Sequence, residues 1–154
     1  GADVPFFIFN RPALACGIGE ELTSALEIQE RWNILLIYPG FSASTREVYK
    51  NVNLRLTNPK KKITNAILKK EKVDLINLMQ NDLEISAFKL YPKLQELKDA
   101  FCNTESIKVL MTGSGSCMFG LFKDTETLIL AKQQLEPVLK EYPLARSYQV
   151  YLLT

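Results

Sequence analysis

The segment from residue 107 to residue 122, IKVLMTGSGSCMFGLF, constrains the fold of this chain more than any other. Two short apolar runs flank Thr112-Gly113-Ser114-Gly115-Ser116, a pattern typical of two buried strands joined by a turn. The two glycines allow positive φ and let consecutive backbone N–H groups approach a ligand. The segment therefore predicts a hairpin whose tip could hold an anion, although an ordinary hairpin turn fits the same residues.

The composition predicts one globular domain. The chain has 154 residues, of which 47% are hydrophobic and 23% are charged, so it can bury a core. Its net charge of +2 is too small to indicate a nucleic-acid or membrane partner. No apolar run reaches the length of about twenty residues that a transmembrane helix needs. We expect neither kind of partner.

The cysteine and histidine content narrows the possible chemistry. The chain contains no histidine, which excludes a His-based catalytic triad or a His-ligated zinc within it. Its cysteines, Cys16, Cys102 and Cys117, are scattered and odd in number. This distribution favours a reducing compartment, the cytoplasm, over a disulfide framework.

The N-terminal residues predict extended structure. Residues 4–9 (VPFFIF) are apolar and aromatic, and they predict a strand or a buried extended segment. Gly17-Ile18-Gly19 predicts a tight turn between two short strands. The aliphatic run Asn33–Tyr38 predicts a further strand, which Pro39-Gly40 ends.

A helix is predicted after this strand. Ser42, Ser44 and Thr45 can each cap its N-terminus, and we expect it to end at Asn58-Pro59.

The middle of the chain has helical periodicity. Short helices are predicted over residues 63–68 and 73–79, and Asn81-Asp82-Leu83-Glu84 predicts the start of another, with acidic groups near its N-terminal dipole. Pro92 predicts a kink or a division into two helices. An apolar stripe at spacings of four and three is expected to face the core; it consists of Leu83, Ala87, Leu90, Leu94, Leu97 and Phe101.

The C-terminal residues predict a capped helix and a strand. Asp124-Thr125 predicts the start of a helix with Leu128 and Ala131 facing inward, and Pro137 is expected to kink it or end it early. Alternating residues from 147 to 152 predict the strand. The order of elements favours an α+β fold, a mixed, mainly antiparallel sheet with helices packed on one face.

Four stretches occur in the order found in the GHMP kinases, which this chain resembles: GADVPFF at residues 1–7, YPGFSAST at 38–45, NDLE at 81–84 and TGSGS at 112–116. The resemblance covers all 154 residues, but only the C-terminal half of such an enzyme. It implies a ferredoxin-like, substrate-side C-terminal domain over residues 1–154. It also implies that residues 1–25 belong to the junction with an N-terminal domain missing from this chain.

The resemblance implies an ATP-dependent kinase of small molecules. Within the family, the segment GADVPFF and Tyr49 after Thr45 favour the members that phosphorylate the 2-hydroxyl of 4-diphosphocytidyl-2-C-methyl-D-erythritol in non-mevalonate isoprenoid precursor synthesis. Two alternatives stay open: a homoserine or mevalonate type of GHMP kinase, and a non-catalytic ferredoxin-like module that binds a small ligand.

Specific residues receive roles from the resemblance. Asp3 matches the catalytic aspartate, which accepts the proton of the substrate hydroxyl or orients it; an ordinary loop aspartate is the alternative. Thr45 would hold substrate hydroxyl or phosphate oxygens, and this role is compatible with a helix cap. Tyr49 matches an aromatic residue that stacks on cytosine, although a tyrosine packed on the inner helix face is nearly as good an interpretation.

The third motif of the family corresponds to Gly113, Ser114, Gly115 and Ser116, a loop that helps to shape the site around the phosphates. Cys117 departs from the family pattern and is interpreted as a structural thiol. Asp82 and Glu84 diverge by about 200° on a helix, so they are expected to cap its first turn rather than to share a ligand.

The resemblance places ATP and Mg²⁺ mainly in the missing N-terminal half. The catalytic lysine and the Gly/Ser loop that cradles ATP belong to the first two family motifs, and neither occurs here. We expect no metal site in this chain and no catalysis by it alone.

Overall fold

The structure is a computed structural model, and it describes residues 4–11, 13–24, 32–52 and 75–151. The chain forms two compact units. One comprises residues 1–30 and 58–79 with residue 154, and the other comprises residues 31–57 and 80–153.

The helices are α1 (Val4–Phe9), α2 (Thr45–Lys50), α3 (Leu75–Leu78), α4 (Glu84–Leu90), α5 (Pro92–Cys102) and α6 (Thr125–Leu139). The strands are β1 (Ala13–Cys16), β2 (Glu21–Ser24), β3 (Asn33–Tyr38), β4 (Lys108–Met111), β5 (Met118–Phe122) and β6 (Arg146–Tyr151).

The first unit contains a helix where a strand was predicted. Residues Val4–Phe9 form α1, and the N–H of Asn10 donates to the Phe6 carbonyl at 3.1 Å. Pro5 lies in the first turn, where its missing N–H costs no helical hydrogen bond. Phe7 and Ile8 are 75% and 79% exposed, so the prediction of a buried extended segment was wrong.

The predicted short hairpin of the first unit is confirmed. Strands β1 and β2 pair antiparallel, with Cys16 opposite Glu21. Gly17 takes a φ of +65°, and the N–H of Gly19 donates to the Cys16 carbonyl at 3.0 Å to close the turn.

The second unit is built on a four-stranded sheet in the order β4-β5-β3-β6, in which every described pairing is antiparallel. Alternate sheet residues, such as Leu35 and Met118, point to the face that carries the helices. The predicted α+β fold with a mainly antiparallel sheet is confirmed. The buried core comprises Leu35, Ile37, Val48, Ala87, Leu94, Leu97, Phe101, Val109, Met111, Met118, Phe122, Leu128, Ala131, Leu135 and Tyr142.

The predicted break at Pro92 is confirmed as a division into two helices. Tyr91, with φ −130° and ψ 76°, separates α4 from α5. Because the helix is interrupted, the apolar stripe is not continuous. Leu90 is 36% exposed, so its predicted place in the core was wrong, whereas Leu94 is fully buried.

Several predicted helix boundaries differ from the structure. Helix α2 ends at Lys50 with Asn51 as its C-cap, earlier than the predicted end at Asn58-Pro59. Helix α6 starts after its Asp124 cap as predicted and continues past Pro137 to Leu139. The predicted helix over residues 63–68 lies outside the described residues.

Candidate functional site

Two of the predicted motifs meet at one end of the sheet in the second unit. The loop of residues 39–44 leaves the end of β3, and the loop of residues 112–117 enters β5. Strands β3 and β5 are antiparallel with Ile37 opposite Met118. The exit of one strand therefore lies beside the entrance of the other.

Direct hydrogen bonds join the two loops. The hydroxyl oxygens of Thr45 and Ser114 lie 2.8 Å apart. The Ser116 hydroxyl donates to the Phe41 carbonyl, and Ser116 is 3% exposed. Three of the predicted site residues are thus brought together, while their roles toward a ligand stay predictions.

The Gly/Ser loop has an inner and an outer glycine. Gly115 (φ +93°) donates its N–H to the Thr112 carbonyl at 2.9 Å, and a Cβ built on it would lie 2.8 Å from Met111 Sδ. Gly113 (φ +50°) has no atom within 4 Å of such a Cβ. The inner position needs glycine for space, whereas the outer position borders open space.

Ser44 caps α2, which leaves the Thr45 hydroxyl to face the Gly/Ser loop. The Ser44 hydroxyl accepts the N–H of Glu47 at 3.4 Å, and the N–H of Ser44 donates to the Tyr91 hydroxyl at 3.1 Å. Of the three predicted caps, the structure therefore selects Ser44.

Tyr49 is 61% exposed, so the interpretation as an inward-packing tyrosine was wrong. It lies one turn after Thr45, on the same side of α2. Val48, the neighbouring residue, supplies the buried contact of this helix. Tyr49 is therefore exposed one turn beyond Thr45.

Asn81 supports the Gly/Ser loop, a role that was not predicted from the sequence. Its Nδ2 donates to the carbonyls of Met111 at 2.8 Å and Gly113 at 2.7 Å, and its Oδ1 accepts the N–H of Leu83 at 3.0 Å. The sequence signal for this role was the motif NDLE at residues 81–84, of which only Asp82 and Glu84 were assigned a role.

Glu84 also contacts the strand that leads into the loop. Its Oε1 accepts the N–H of Met111 at 2.8 Å, and its Oε2 forms an ion pair with Lys98 of α5. The predicted role of Glu84 as a first-turn cap is wrong in this respect. Its carboxylate makes long-range contacts, and the helix has no side-chain cap at its N-cap residue, Leu83.

Cys117 is a partly buried thiol, and burial raises its pKa above the ordinary value of 9.0. A thiol with a raised pKa is a poor nucleophile at neutral pH. This supports the interpretation of Cys117 as a structural residue.

Asp3, the predicted catalytic residue, lies outside the described residues. Among the described ranges, no group of three or more His, Cys, Asp or Glu residues could hold a metal ion. None of the helices in those ranges is long and apolar enough to span a membrane. Hydroxyl groups dominate the observed site and suit an oxygen-rich ligand.

Comparison with known proteins identifies similar sequences. The family model described as GHMP kinases C terminal matches residues 65–139. A 4-diphosphocytidyl-2-C-methyl-D-erythritol kinase of Syntrophus aciditrophicus (strain SB) is 42% identical over 82% of this chain and 44% of its own length. One of Clostridioides difficile (strain 630) is 36% identical over 99% of the chain and 50% of its own length. The chain spans about half the length of the curated relatives that it matches.

Solved structures of kinases are also similar to this chain. A crystal structure of a 4-(cytidine 5'-diphospho)-2C-methyl-D-erythritol kinase matches with a TM-score of 0.73 and 31% identity, covering 100% of this chain and 54% of that one. A homoserine kinase from Cytophaga hutchinsonii matches with a TM-score of 0.63 at 13% identity, over 92% of this chain and 48% of its own. The second match shows a shared fold alone.

Proposed function

We propose that the chain is the C-terminal part of an ATP-dependent kinase of the GHMP family, whose C-terminal family model matches residues 65–139. The proposed acceptor is the 2-hydroxyl of 4-diphosphocytidyl-2-C-methyl-D-erythritol. The observation that carries the proposal is the 2.8 Å contact between Thr45 and Ser114, because it unites two motifs at one site. The choice of substrate rests on relatives of that name at 36–42% identity.

The observed residues fit the needs of phosphoryl transfer. That reaction depends on alignment and charge stabilisation more than on a strong base. The hydroxyls of Thr45 and Ser114 can donate to substrate or phosphate oxygens, and the accessible ring of Tyr49 can stack on cytosine. We assign Asp3 the task of accepting or orienting the proton of the substrate hydroxyl.

ATP and Mg²⁺ belong to the proposed reaction as phosphoryl donor and charge-neutralising ion. The described residues offer no cluster of ligands for a metal. As the resemblance to GHMP kinases implies, we propose that both groups are held mainly by an N-terminal half, which also completes the site as the partner of this chain. The cytoplasm, where ATP is available, is the proposed location.

A phosphorylation assay tests this function. The full-length protein that contains this chain is incubated with ATP, Mg²⁺ and 4-diphosphocytidyl-2-C-methyl-D-erythritol, and the phosphorylated product is measured by mass spectrometry. Homoserine and mevalonate serve as competing substrates. Product from the cytidine-containing substrate supports the proposal, whereas preference for either competitor, or no turnover by a folded protein, contradicts it.

A further inference from the structure

Helix α4 connects the two motifs that form the candidate site. On one side, the Ser86 hydroxyl donates to the Val48 carbonyl of α2 at 2.6 Å in a buried position. On the other side, Glu84 accepts the N–H of Met111 at 2.8 Å, at the end of β4. The helix that carries Thr45 and the strand that leads to Ser114 are thus attached to the same short helix.

Met111 is held through both of its backbone polar groups. Strand β4 is an edge strand of the sheet, so alternate N–H and C=O groups lack a neighbouring strand. At Met111 the N–H donates to Glu84 Oε1, and the carbonyl accepts from Asn81 Nδ2. Asn81 Nδ2 also reaches the Gly113 carbonyl at 2.7 Å. These bonds determine where the Gly/Ser loop begins.

The Glu84 carboxylate is itself held in place. Its second oxygen pairs with Lys98, and the two side chains are only 12% and 18% exposed. A carboxylate so shielded from water needs such partners, because burying an unpaired charge is costly. The ion pair therefore offsets the cost of shielding the Glu84 carboxylate from water, and Glu84 Oε1 accepts the N–H of Met111.

We infer that Glu84 is a positioning residue for the kinase reaction, because it holds the Gly/Ser loop so that Ser114 stays against Thr45. This inference rests on the proposed function. Glu84 acts through the Met111 N–H and not through contact with the substrate. What the loop requires from Glu84 is a hydrogen-bond acceptor of the right length, not a negative charge.

The test compares three variants of the full-length protein. Glu84→Ala removes the acceptor. Glu84→Gln retains an amide oxygen that can accept the Met111 N–H, but it leaves Lys98 without its partner. The double variant Glu84→Gln with Lys98→Met retains the same amide oxygen and removes the unpaired charge of Lys98. Glu96→Gln, an exposed acidic residue of α5, serves as the matched control.

We expect Glu84→Ala to lower kcat by about 10- to 100-fold with a smaller change in KM, since small misplacements at a reaction site cost up to about 10²-fold. The double variant Glu84→Gln with Lys98→Met and the control should stay within about threefold of the wild type. Glu84→Gln alone leaves Lys98 shielded and unpaired, so its rate should fall between those of the double variant and Glu84→Ala. Equal losses for alanine and glutamine, or no loss for alanine, would overturn the inference. If Glu84→Ala does not fold, Glu84→Asp, one methylene shorter, takes its place.

A second readout does not depend on activity. Cys117 follows the loop directly and is partly buried, so its alkylation by iodoacetamide, followed by peptide mass spectrometry, reports loosening of the loop. We expect faster alkylation of Cys117 in Glu84→Ala than in Glu84→Gln, with the exposed Cys16 unchanged. An inactive wild type would contradict the proposed function alone, whereas equal alkylation in both variants would contradict the positioning role.

Discussion

The hydroxyl oxygens of Thr45 and Ser114 lie 2.8 Å apart, although 69 positions separate the two residues in the chain. The antiparallel pairing of β3 with β5 places their loops side by side, and the Ser44 cap leaves the Thr45 hydroxyl free for this contact. The relationship joins two sequence motifs into one polar site.

Removing the Thr45 hydroxyl should therefore weaken both the loop contact and the reaction. For Thr45→Val in the full-length protein we expect a rate about two- to tenfold lower, corresponding to a net hydrogen bond of about 0.5–1.5 kcal/mol. Thr45→Ser keeps the hydroxyl and should retain most of the activity. A fully active valine variant in the steady-state assay would exclude a role for this hydroxyl.

Asp3 should be needed for catalysis but not for folding. We expect Asp3→Asn to lower kcat by about 10²- to 10⁴-fold, the usual contribution of a general base. The matched control is Asp99→Asn, at an exposed position of α5. The measurement is product formation together with a thermal melt, and unchanged kcat in Asp3→Asn would favour a non-catalytic module.

The two loop glycines should differ in their tolerance of alanine. At Gly115 an added Cβ would lie 2.8 Å from Met111 Sδ and 3.5 Å from the Ala43 Cβ, whereas at Gly113 it would meet open space. Both have positive φ, which costs an alanine about 1–2 kcal/mol. We expect Gly115→Ala to lower the free energy of unfolding more than Gly113→Ala does. Urea denaturation of the two variants measures this, and equal losses would contradict the packing argument.

Gly120 in β5 should be required by the ring of Phe101. A Cβ at this position would lie 2.6 Å from two ring carbons of Phe101, which is fully buried and stacks on Phe122. We expect Gly120→Ala to cost about 1–3 kcal/mol of unfolding free energy through overpacking. Combining it with Phe101→Leu should cost less than the sum of the single changes. Additive losses in urea denaturation would show that the two sites are not coupled.

Asp124 should make the stability of the second unit depend on pH. Hydrogen bonds from the backbone N–H and then the hydroxyl of Thr127 lower its pKa below the ordinary value of 3.8. Its contribution is therefore present above pH 3.8 and is lost as the pH falls through the lower folded-state pKa. We expect the stability advantage of wild type over Asp124→Asn to shrink below pH 3.8. Urea denaturation from pH 7 to pH 2 measures it, and a constant difference would contradict this assignment.

The local sequence was sufficient for the strands and caps of the second unit. The continuous aliphatic run of β3, the Gly/Ser turn between β4 and β5 and the Asp124 cap all lie where they were predicted. Each of these depends on residues within a few positions of one another, because strand pattern, turn chemistry and capping are short-range effects.

Other features depended on the tertiary structure. The apolar residues of α1 fit either a strand or a helix, and periodicity in so short a run cannot separate the two. The exposure of Leu90 follows from the break at Tyr91, which changes the direction of the chain between α4 and α5.

The candidate site also combines features that the sequence predicts with features that only the tertiary structure shows. The sequence determined which motifs are present, and with them Thr45, Tyr49 and the Gly/Ser loop. Only the tertiary structure showed that Asn81 and Glu84 hold that loop. Their partners lie 27 or more positions away in the chain, and contacts of that length are set by how the elements pack rather than by local pattern.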